Sequence, residues 1–254
     1  MFDPLGWIGI VAVNHLHPPF NNLKVRQAVL HALSQQDFVD AVLGELKEYG
    51  SAGTGFFTPN TPNATQKGIE VLTGKRDVAL ARTMLAESGD KGEKVVLMGP
   101  SDLQVLQTMA QVTEGLFRQI GLNVEFVSTD WGRLVTRRSN CEPPEKGGWN
   151  AFTTTWTGQT FLNPGNHYPL RGVGTNGGWF GWSVDPKMEE YREAWFSAPD
   201  QAAQKKICED MQMLAWQNVP FYPVGHWFYA TAFRSNMTGF PKAALPIYWG
   251  VKRV

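Results

Sequence analysis

The alternation of apolar and polar positions along the chain predicts strands interleaved with amphipathic helices. Apolar side chains recur at helical spacing in several stretches, most of them preceded by a side chain that favours a helix N-cap. The predicted helices cover residues 23–33, 35–43, 77–88, 102–120, 131–138, 184–196 and 201–217. Short apolar or alternating runs predict strands at residues 11–14, 94–98, 123–128, 151–155, 221–228 and 229–234. This order of elements is typical of an α/β fold, with a mixed, partly parallel sheet flanked by helices.

The composition favours a folded domain without a strong net charge. The chain has 254 residues, of which 43% are hydrophobic, and this is enough for a sizeable core. Its 23 basic and 23 acidic residues cancel, so nothing points to a nucleic acid or an anionic membrane as a partner. No run of about 18 apolar residues is present, so we expect no membrane span in this chain. The 10 tryptophans suit either a core or a ligand cleft.

The sequence contains no motif typical of an enzyme or a cofactor site. Phosphate-binding glycine loops, nucleophile elbows and zinc-protease helices are all missing. His15 and His17 would share one side of a strand, but no spacing supplies a third metal ligand, which favours structural histidines. Cys141 and Cys208 either pair with each other or stay free thiols. We therefore expect a protein that is not an enzyme and has no catalytic residue, metal or cofactor.

The stretch that begins at Asn14 contains the most specific motif in the chain. Its sequence is N-x-x-x-P-P-F-N-N-x-K-V-R-Q-A-V, and S-Q-Q-D-F-V follows from Ser34. In order and spacing, this turn and its two helices resemble the extracytoplasmic solute-binding proteins of family 5, the dipeptide, oligopeptide and nickel class. The resemblance runs along almost the whole chain. It implies one lobe of a two-lobe periplasmic binding protein, which captures a ligand and delivers it to the permease subunits of an ABC importer.

The resemblance also implies a division of the chain between two lobes. It begins at the second lobe, so we expect this chain to be the C-terminal half of a longer, two-lobed protein. Residues 1–14 would then form a crossing strand of the first lobe, residues 15–238 the α/β second lobe, and residues 239–254 a return to the first lobe. No signal peptide precedes Phe2, although the family is secreted, and truncation reconciles the two observations. The expected location is the periplasm.

The stretch TTTWTGQTFLNP is the strongest candidate for ligand contact, because loops at strand ends bind ligands in open α/β sheets. Trp156, Thr157 and Gly158 match the W-T-G-D motif of peptide-binding members, in which the Trp lines the cleft and the Asp pairs with the peptide's ammonium. Gln159 stands in place of that Asp, and Thr153 stands in place of an Arg found in oligopeptide binders. A neutral amide suits a hydroxyl or carbonyl group rather than an ammonium. Alternatively, Gln159 only closes a turn.

The predicted helix that begins at Trp131 is the second candidate. Oligopeptide binders start this helix with a Trp and have an Arg seven residues later, and Trp131 and Arg138 match that spacing. The resemblance implies that both face the cleft, where Arg138 could hold a carboxylate and Trp131 could stack on an apolar or sugar face. Against this, a helix C-terminus alone favours Arg138, and Trp131 could belong to the core. The segment GGWFGWS at residues 177–183 could form an aromatic wall, although a structural role is favoured there.

Together these patterns predict a binding protein for a small polar solute, which the family resemblance makes a peptide-class ligand. The departures at Thr153 and Gln159, with the many tryptophans, leave a non-peptide ligand such as an oligosaccharide or an opine as an alternative. An enzyme or metal-dependent protein with an unrecognised site is the alternative from a different class. A holder of unfolded peptides is a third.

Overall fold

The structure, a computed structural model, describes residues 3–245 and 247–254. The strands in these residues are β1 (Trp7–Val13), β2 (Gly50–Ser51), β3 (Lys94–Pro100), β4 (Asn123–Thr129), β5 (Ala151–Thr157), β6 (Phe221–Trp227), β7 (Met237–Thr238) and β8 (Lys252–Arg253). The α-helices are α1 (Leu23–Ala32), α2 (Gln35–Leu43), α3 (Glu70–Thr73), α4 (Val78–Glu87), α5 (Gln104–Ile120), α6 (Trp131–Arg137), α7 (Pro186–Phe196) and α8 (Gln201–Asn218). None of these described helices is long and apolar enough to cross a bilayer.

Six of the strands form one mixed sheet in the order β2-β6-β1-β5-β3-β4. Strand β1 is antiparallel to both of its neighbours, whereas β5, β3 and β4 run parallel to one another. Helices α5 and α6 lie between successive parallel strands in the sequence, because parallel neighbours need a crossover connection. The observed architecture confirms the predicted α/β class with a mixed sheet flanked by helices.

Side chains of each strand alternate between the two faces of this sheet. On the first face, α5 packs against β3, β4 and β5, and α2 packs against β6. The second face contains a smaller apolar cluster, which includes α6 and the loop before α7. The buried members of this cluster are Ala12, Val96, Met98, Leu134, Trp149, Phe152 and Trp182. Three of the predicted ligand-contact residues lie on or beside this second face, namely Trp131, Arg138 and Trp156.

Strand β1 lies in the centre of the sheet, which corrects the predicted assignment of residues 1–14 to another lobe. Val11 pairs with Thr153 on one side and with Tyr222 on the other. Ile8 and Ile10 are fully buried. The expectation was wrong because both partner strands lie far along the chain, where no local pattern reveals them. Met1 and Phe2 fall outside the described residues.

Local signals predicted most helix starts correctly. The predicted N-cap side chains of Asn22, Ser34, Asp130 and Asp200 accept hydrogen bonds from the first turns of their helices. Asp77 was predicted as the first residue of its helix and is the N-cap of α4 instead. Ser101 is an exception, because α5 begins only at Gln104 and has no side-chain cap. Residues 229–234 form no strand, because β1 begins at Trp7 opposite Trp227 and offers β6 no partner beyond that pair.

Arg26 is a buried cation that ties α1 to the end of α8. Its guanidinium donates to the carbonyl oxygen of Asn218 from Nε (3.1 Å) and Nη2 (3.0 Å), and to that of Phe20 from Nη1 (2.6 Å). Burial lowers the pKa of Arg26. A cation is favourable at a helix C-terminus, where the last carbonyl groups lack partners within the helix. Arg26 therefore supplies the donors that the end of α8 requires.

The last part of the chain forms a small hairpin apart from the main sheet. Strand β7 pairs with β8 in antiparallel register. Between them, Tyr248 is 70% exposed and Trp249 is 85% exposed. Residues of this segment, with Trp7 and Tyr229, line an apolar cavity of about 330 Å³. The assignment of residues 239–254 to another lobe stays a prediction.

Candidate ligand-binding site

Trp156 lies near the end of β5, opposite Ile8 of β1. Its indole ring meets that of Trp179 edge to face, with centroids 5.6 Å apart. It also stacks on the ring of Tyr168 at 6.4 Å, with 23° between the ring planes. The indole Nε1 is buried and has no hydrogen-bond partner among the described residues. A buried donor without a partner is costly, so an acceptor atom of a ligand would be favourable here.

Arg138 follows the last residue of α6 and is half-buried among aromatic rings. Its guanidinium carbon lies 4.5 Å from the ring centre of Phe180, 5.5 Å from that of Trp131 and 5.9 Å from that of Phe152. Burial lowers the pKa of Arg138. Its Nε is buried without a partner, and no carboxylate within residues 3–245 and 247–254 forms an ion pair with it. The cation is thus held by ring faces, and donors remain available to a ligand.

The ring of Trp179 connects Trp156 with the rings that surround Arg138, so that they form one surface. Its ring centroid lies 5.7 Å from that of Phe152, 5.6 Å from that of Trp156 and 5.7 Å from that of Phe180. We name the resulting surface the aromatic wall, and define it as Trp131, Phe152, Trp156, Tyr168, Trp179 and Phe180. The structure therefore brings together the two candidates that the sequence predicted separately, with Arg138 packed on one end of the wall.

Different residues of the segment GGWFGWS have different roles. Trp182 is 6% exposed and packs against Trp149 at 5.6 Å in the apolar cluster, which fits the structural role predicted for the segment. Trp179 and Phe180 instead belong to the aromatic wall, which the sequence indicated only as the less favoured role of this segment. Tyr168 and Phe152 were not predicted as site residues. The only signal available in the sequence was the density of aromatic side chains beside glycines.

The structure places Thr153 away from the aromatic wall, which corrects its prediction as a ligand residue. Thr153 and Trp156 are three positions apart on β5, so they lie on opposite faces of the sheet. Thr153 is fully buried, and its hydroxyl donates to the carbonyl oxygen of Leu106 in α5 at 2.8 Å. Its hydrogen bond therefore supports the packing of α5 on β5.

Gly158 is buried in the turn after β5 and holds this turn against the chain before β1. Its N–H donates to the carbonyl oxygen of Gly6 at 2.7 Å, and its own carbonyl accepts from the Thr58 hydroxyl at 2.5 Å. A Cβ atom here would lie 2.3 Å from the carbonyl oxygen of Leu5. The sequence predicted Gly158 as a ligand residue, and the structure shows a close backbone approach that only glycine permits.

Replacing Gly158 with alanine should lower the free energy of unfolding by about 1–3 kcal/mol, because the backbone at Leu5 must move to admit a Cβ. Gly115→Ala is the matched control, because a Cβ at that position in α5 meets nothing within 4 Å. The control should raise stability by about 1 kcal/mol, since glycine disfavours a helix interior. Chemical denaturation of both variants measures this. Equal changes of the same sign in the free energy of unfolding of the two variants would contradict the clash between a Cβ at position 158 and the backbone of Leu5.

Thr157 is the last residue of β5, and by alternation its side chain lies on the face of Thr153, opposite that of Trp156. Gln159 lies in the turn that follows. The Thr157 hydroxyl is 3.4 Å from that of Thr160. Gln159 is exposed in the turn, and its side chain forms no hydrogen bond within the described part of the chain. Both side chains offer donors and acceptors to solvent or a ligand. Ligand contact by these two residues stays a prediction.

Outside this site, His167 is buried and His15 is partly buried. The His15 Nε2 lies 3.0 Å from the carbonyl oxygen of Pro220, and the His167 Nε2 lies 2.6 Å from that of Phe56. Burial, with a smaller effect of the Arg26 charge, lowers the pKa of His15 to about 3. Burial likewise lowers the pKa of His167 to about 3. These contacts support the structural interpretation of both side chains.

The remaining candidate metal and thiol groups are separate from one another. The His17 Nε2 contacts the carbonyl oxygen of Cys141 at 2.7 Å. Cys141 is exposed, Cys208 is buried in α8, and both are free thiols. Within the residues that the structure describes, no group of three His, Cys, Asp or Glu side chains could hold a metal ion.

Two curated proteins are similar to this chain in sequence. The probable peptide ABC transporter periplasmic-binding protein y4tO of Sinorhizobium fredii is 30% identical over 241 residues, which cover 95% of this chain and 45% of that protein. Di/tripeptide-binding protein 3 of Pseudomonas aeruginosa is 26% identical and matches 86% of this chain and 40% of its own length. Both relatives are binding proteins by name. The chain spans about half the length of the curated relatives it matches.

A solved structure has a similar fold, and a family model matches most of the sequence. A crystal structure of the dipeptide-binding protein from Pseudoalteromonas sp. SM9913 in complex with Met-Leu has a similar fold, with a TM-score of 0.78 and 20% identity. The match covers 99% of this chain and 49% of that one. The model of the bacterial extracellular solute-binding proteins, family 5 (middle region), matches residues 2–178. Since this match takes in well over half of the sequence, the chain belongs to the bacterial extracellular solute-binding proteins, family 5.

Proposed function

We propose that the chain forms one lobe of the solute-binding component of an ABC importer and takes a peptide-class ligand. The observation that carries this proposal is the half-buried guanidinium of Arg138, which lies on the aromatic wall without an anionic partner among the described residues. A peptide supplies both of the matching groups, a carboxylate for the cation and side chains for the rings. The peptide-related names of the two relatives support the same class.

The chemistry of binding follows from the donors on this surface. A ligand carboxylate would accept charge-assisted hydrogen bonds from Arg138, and these strengthen when water is excluded. A ligand carbonyl would satisfy the Nε1 donor of Trp156. Gln159, which is exposed in the turn after β5, would add neutral hydrogen bonds to carbonyl or amide groups of the ligand. No bond is made or broken in this scheme.

A second lobe would complete the site by closing over the ligand. The chain covers less than half of each of its two relatives, which leaves room for the contacts of such a lobe. We place the whole protein outside the cytoplasm, in the periplasm, with the permease subunits of the importer as its partner. An anionic opine offers the same carboxylate as a peptide, and it is therefore the non-peptide ligand that this surface would fit.

Arg138→Gln in the intact protein should weaken the binding of di- and tripeptides by about 10- to 100-fold, as expected for the loss of hydrogen bonds to a charged group. Isothermal titration measures the affinities. Arg133→Gln is the matched control, because Arg133 lies in α6 shortly before Arg138, has a side chain that is 84% exposed and, among the described residues, forms an ion pair only with Asp130. The control should bind as the unmodified protein does. A response to neutral oligosaccharides alone, without any peptide or opine binding, would overturn the proposed ligand class.

A further inference from the structure

We propose that Phe180 is a specificity-determining residue, which positions the guanidinium of Arg138 so that the site selects ligands with a free carboxylate. This inference rests on the proposed function and deepens it. Phe180 belongs to the loop before α7, whereas Arg138 directly follows the last residue of α6. Selectivity would therefore depend on a contact between two separate segments of the chain.

The contact between Phe180 and Arg138 is the shortest that the guanidinium makes with a ring. The distance is 4.5 Å, compared with 5.5 Å to Trp131 and 5.9 Å to Phe152. Phe180 is itself held in place from two sides. Its ring centroid is 5.7 Å from that of Trp179, and it meets the ring of the buried Trp182 edge to face at 6.5 Å. The ring is thus anchored to the apolar cluster while its face supports the cation.

A ring face holds a guanidinium without using its hydrogen bonds. The N–H donors of Arg lie in the plane of the group, so stacking leaves them free, whereas a protein carboxylate would occupy two of them. The Nε of Arg138 is buried without a partner among the described residues. Phe180 therefore fixes the charge in place and keeps donors available for a carboxylate from outside the chain.

The neighbouring rings cannot replace Phe180 in this role. Phe152 is fully buried in β5, and Trp131 starts α6, where its backbone N–H donates to the carboxylate Oδ1 of Asp102 at 2.8 Å. Both belong to regular elements of the scaffold, whereas Phe180 belongs to a loop. Without the ring of Phe180, the guanidinium would lose its shortest ring contact, and Arg138 would gain rotamers that point away from the wall.

The test compares Phe180→Leu with Phe180→Tyr in the intact protein. Leucine keeps apolar volume without a ring face, and tyrosine keeps the ring. The probes are di- and tripeptides, each with a free carboxylate and as its C-terminal amide, measured by isothermal titration. Phe180→Leu should lose about fivefold in affinity for the free acids and should leave the affinity for the amides within about twofold. Phe180→Tyr should keep the ratio between acid and amide that the unmodified protein shows.

Each outcome separates the inference from the function on which it rests. An equal loss for acids and amides in Phe180→Leu would show a packing role only, and would overturn the positioning role. A change in the ratio between the affinities for acid and amide in Phe180→Tyr would also overturn the positioning role. Acid and amide binding equally well in the unmodified protein would instead remove Arg138 as the carboxylate partner. The absence of any peptide binding would overturn the proposed function itself.

Discussion

Lowering the pH from 7 to 5 should reduce the free energy of unfolding by about 4 kcal/mol through His15 and His167 together. Each has its pKa lowered from 6.5 to about 3 in the folded chain. Below pH 6.5 the unfolded chain therefore binds protons that the folded chain does not bind. The stability that each buried neutral ring contributes is present above pH 6.5 and is lost progressively as the pH falls towards 3. Each histidine accounts for about 2 kcal/mol between pH 7 and 5.

Differences between variants isolate this effect from other titrating groups. Burial raises the pKa of Asp90 to about 6, so its protonation acts in the opposite direction. Chemical denaturation at pH 7 and pH 5 should show that the loss of stability is about 2 kcal/mol smaller in His167→Gln than in the unmodified protein. In the double variant, which carries His15→Gln and His167→Gln, the loss of stability between pH 7 and pH 5 should be about 4 kcal/mol smaller. An unchanged loss in the double variant would contradict the assignment.

Replacing Arg26 with methionine should lower the free energy of unfolding by about 3 kcal/mol. Methionine keeps much of the apolar stem but removes three hydrogen bonds to the carbonyl groups of Asn218 and Phe20. A buried acceptor left without a partner costs about 1–3 kcal/mol, and two are created here. The variant also removes a charge that lowers the pKa of His15, so its dependence on pH should be weaker.

Arg133→Met is the matched control for this experiment. Arg133 is exposed, and the one ion pair that it forms with a described residue is with Asp130 at 3.2 Å. A surface pair of this kind contributes about 0–1 kcal/mol, so the control should unfold close to the unmodified protein. Denaturant titration of both variants at one pH compares them directly. Similar stabilities for the two variants would contradict the role given to Arg26 at the end of α8.

Local features of this chain were predictable from sequence because their causes lie within a few residues. Asn22, Ser34 and Asp130 cap their helices through contacts with N–H groups two or three positions away. The position of Thr153 was also accessible in principle. Its separation of three residues from Trp156 on a strand places the two side chains on opposite faces, and the family motif alone obscured this.

Features that depend on distant contacts were not predictable in the same way. Strand β1 was assigned elsewhere because its partners, β5 and β6, come much later in the sequence. The aromatic wall needs Trp179 to meet Phe152 and Trp156 across a loop that has no regular hydrophobic period. Such contacts arise when the sheet and its loops pack together, so the spacing of residues along the chain does not predict them.

The central position of β1 also sets the order in which the sheet can be assembled. Trp7 pairs with Trp227, so β1 leaves the ribosome long before its second neighbour, β6, has been synthesised. Contacts this distant in sequence slow folding, because a long loop must close before they form. Until then, Ile8 and Ile10 belong to an apolar strand with unpaired edges, which is the kind of segment that pairs with other chains. Synthesis is therefore the stage at which this protein most needs protection from aggregation.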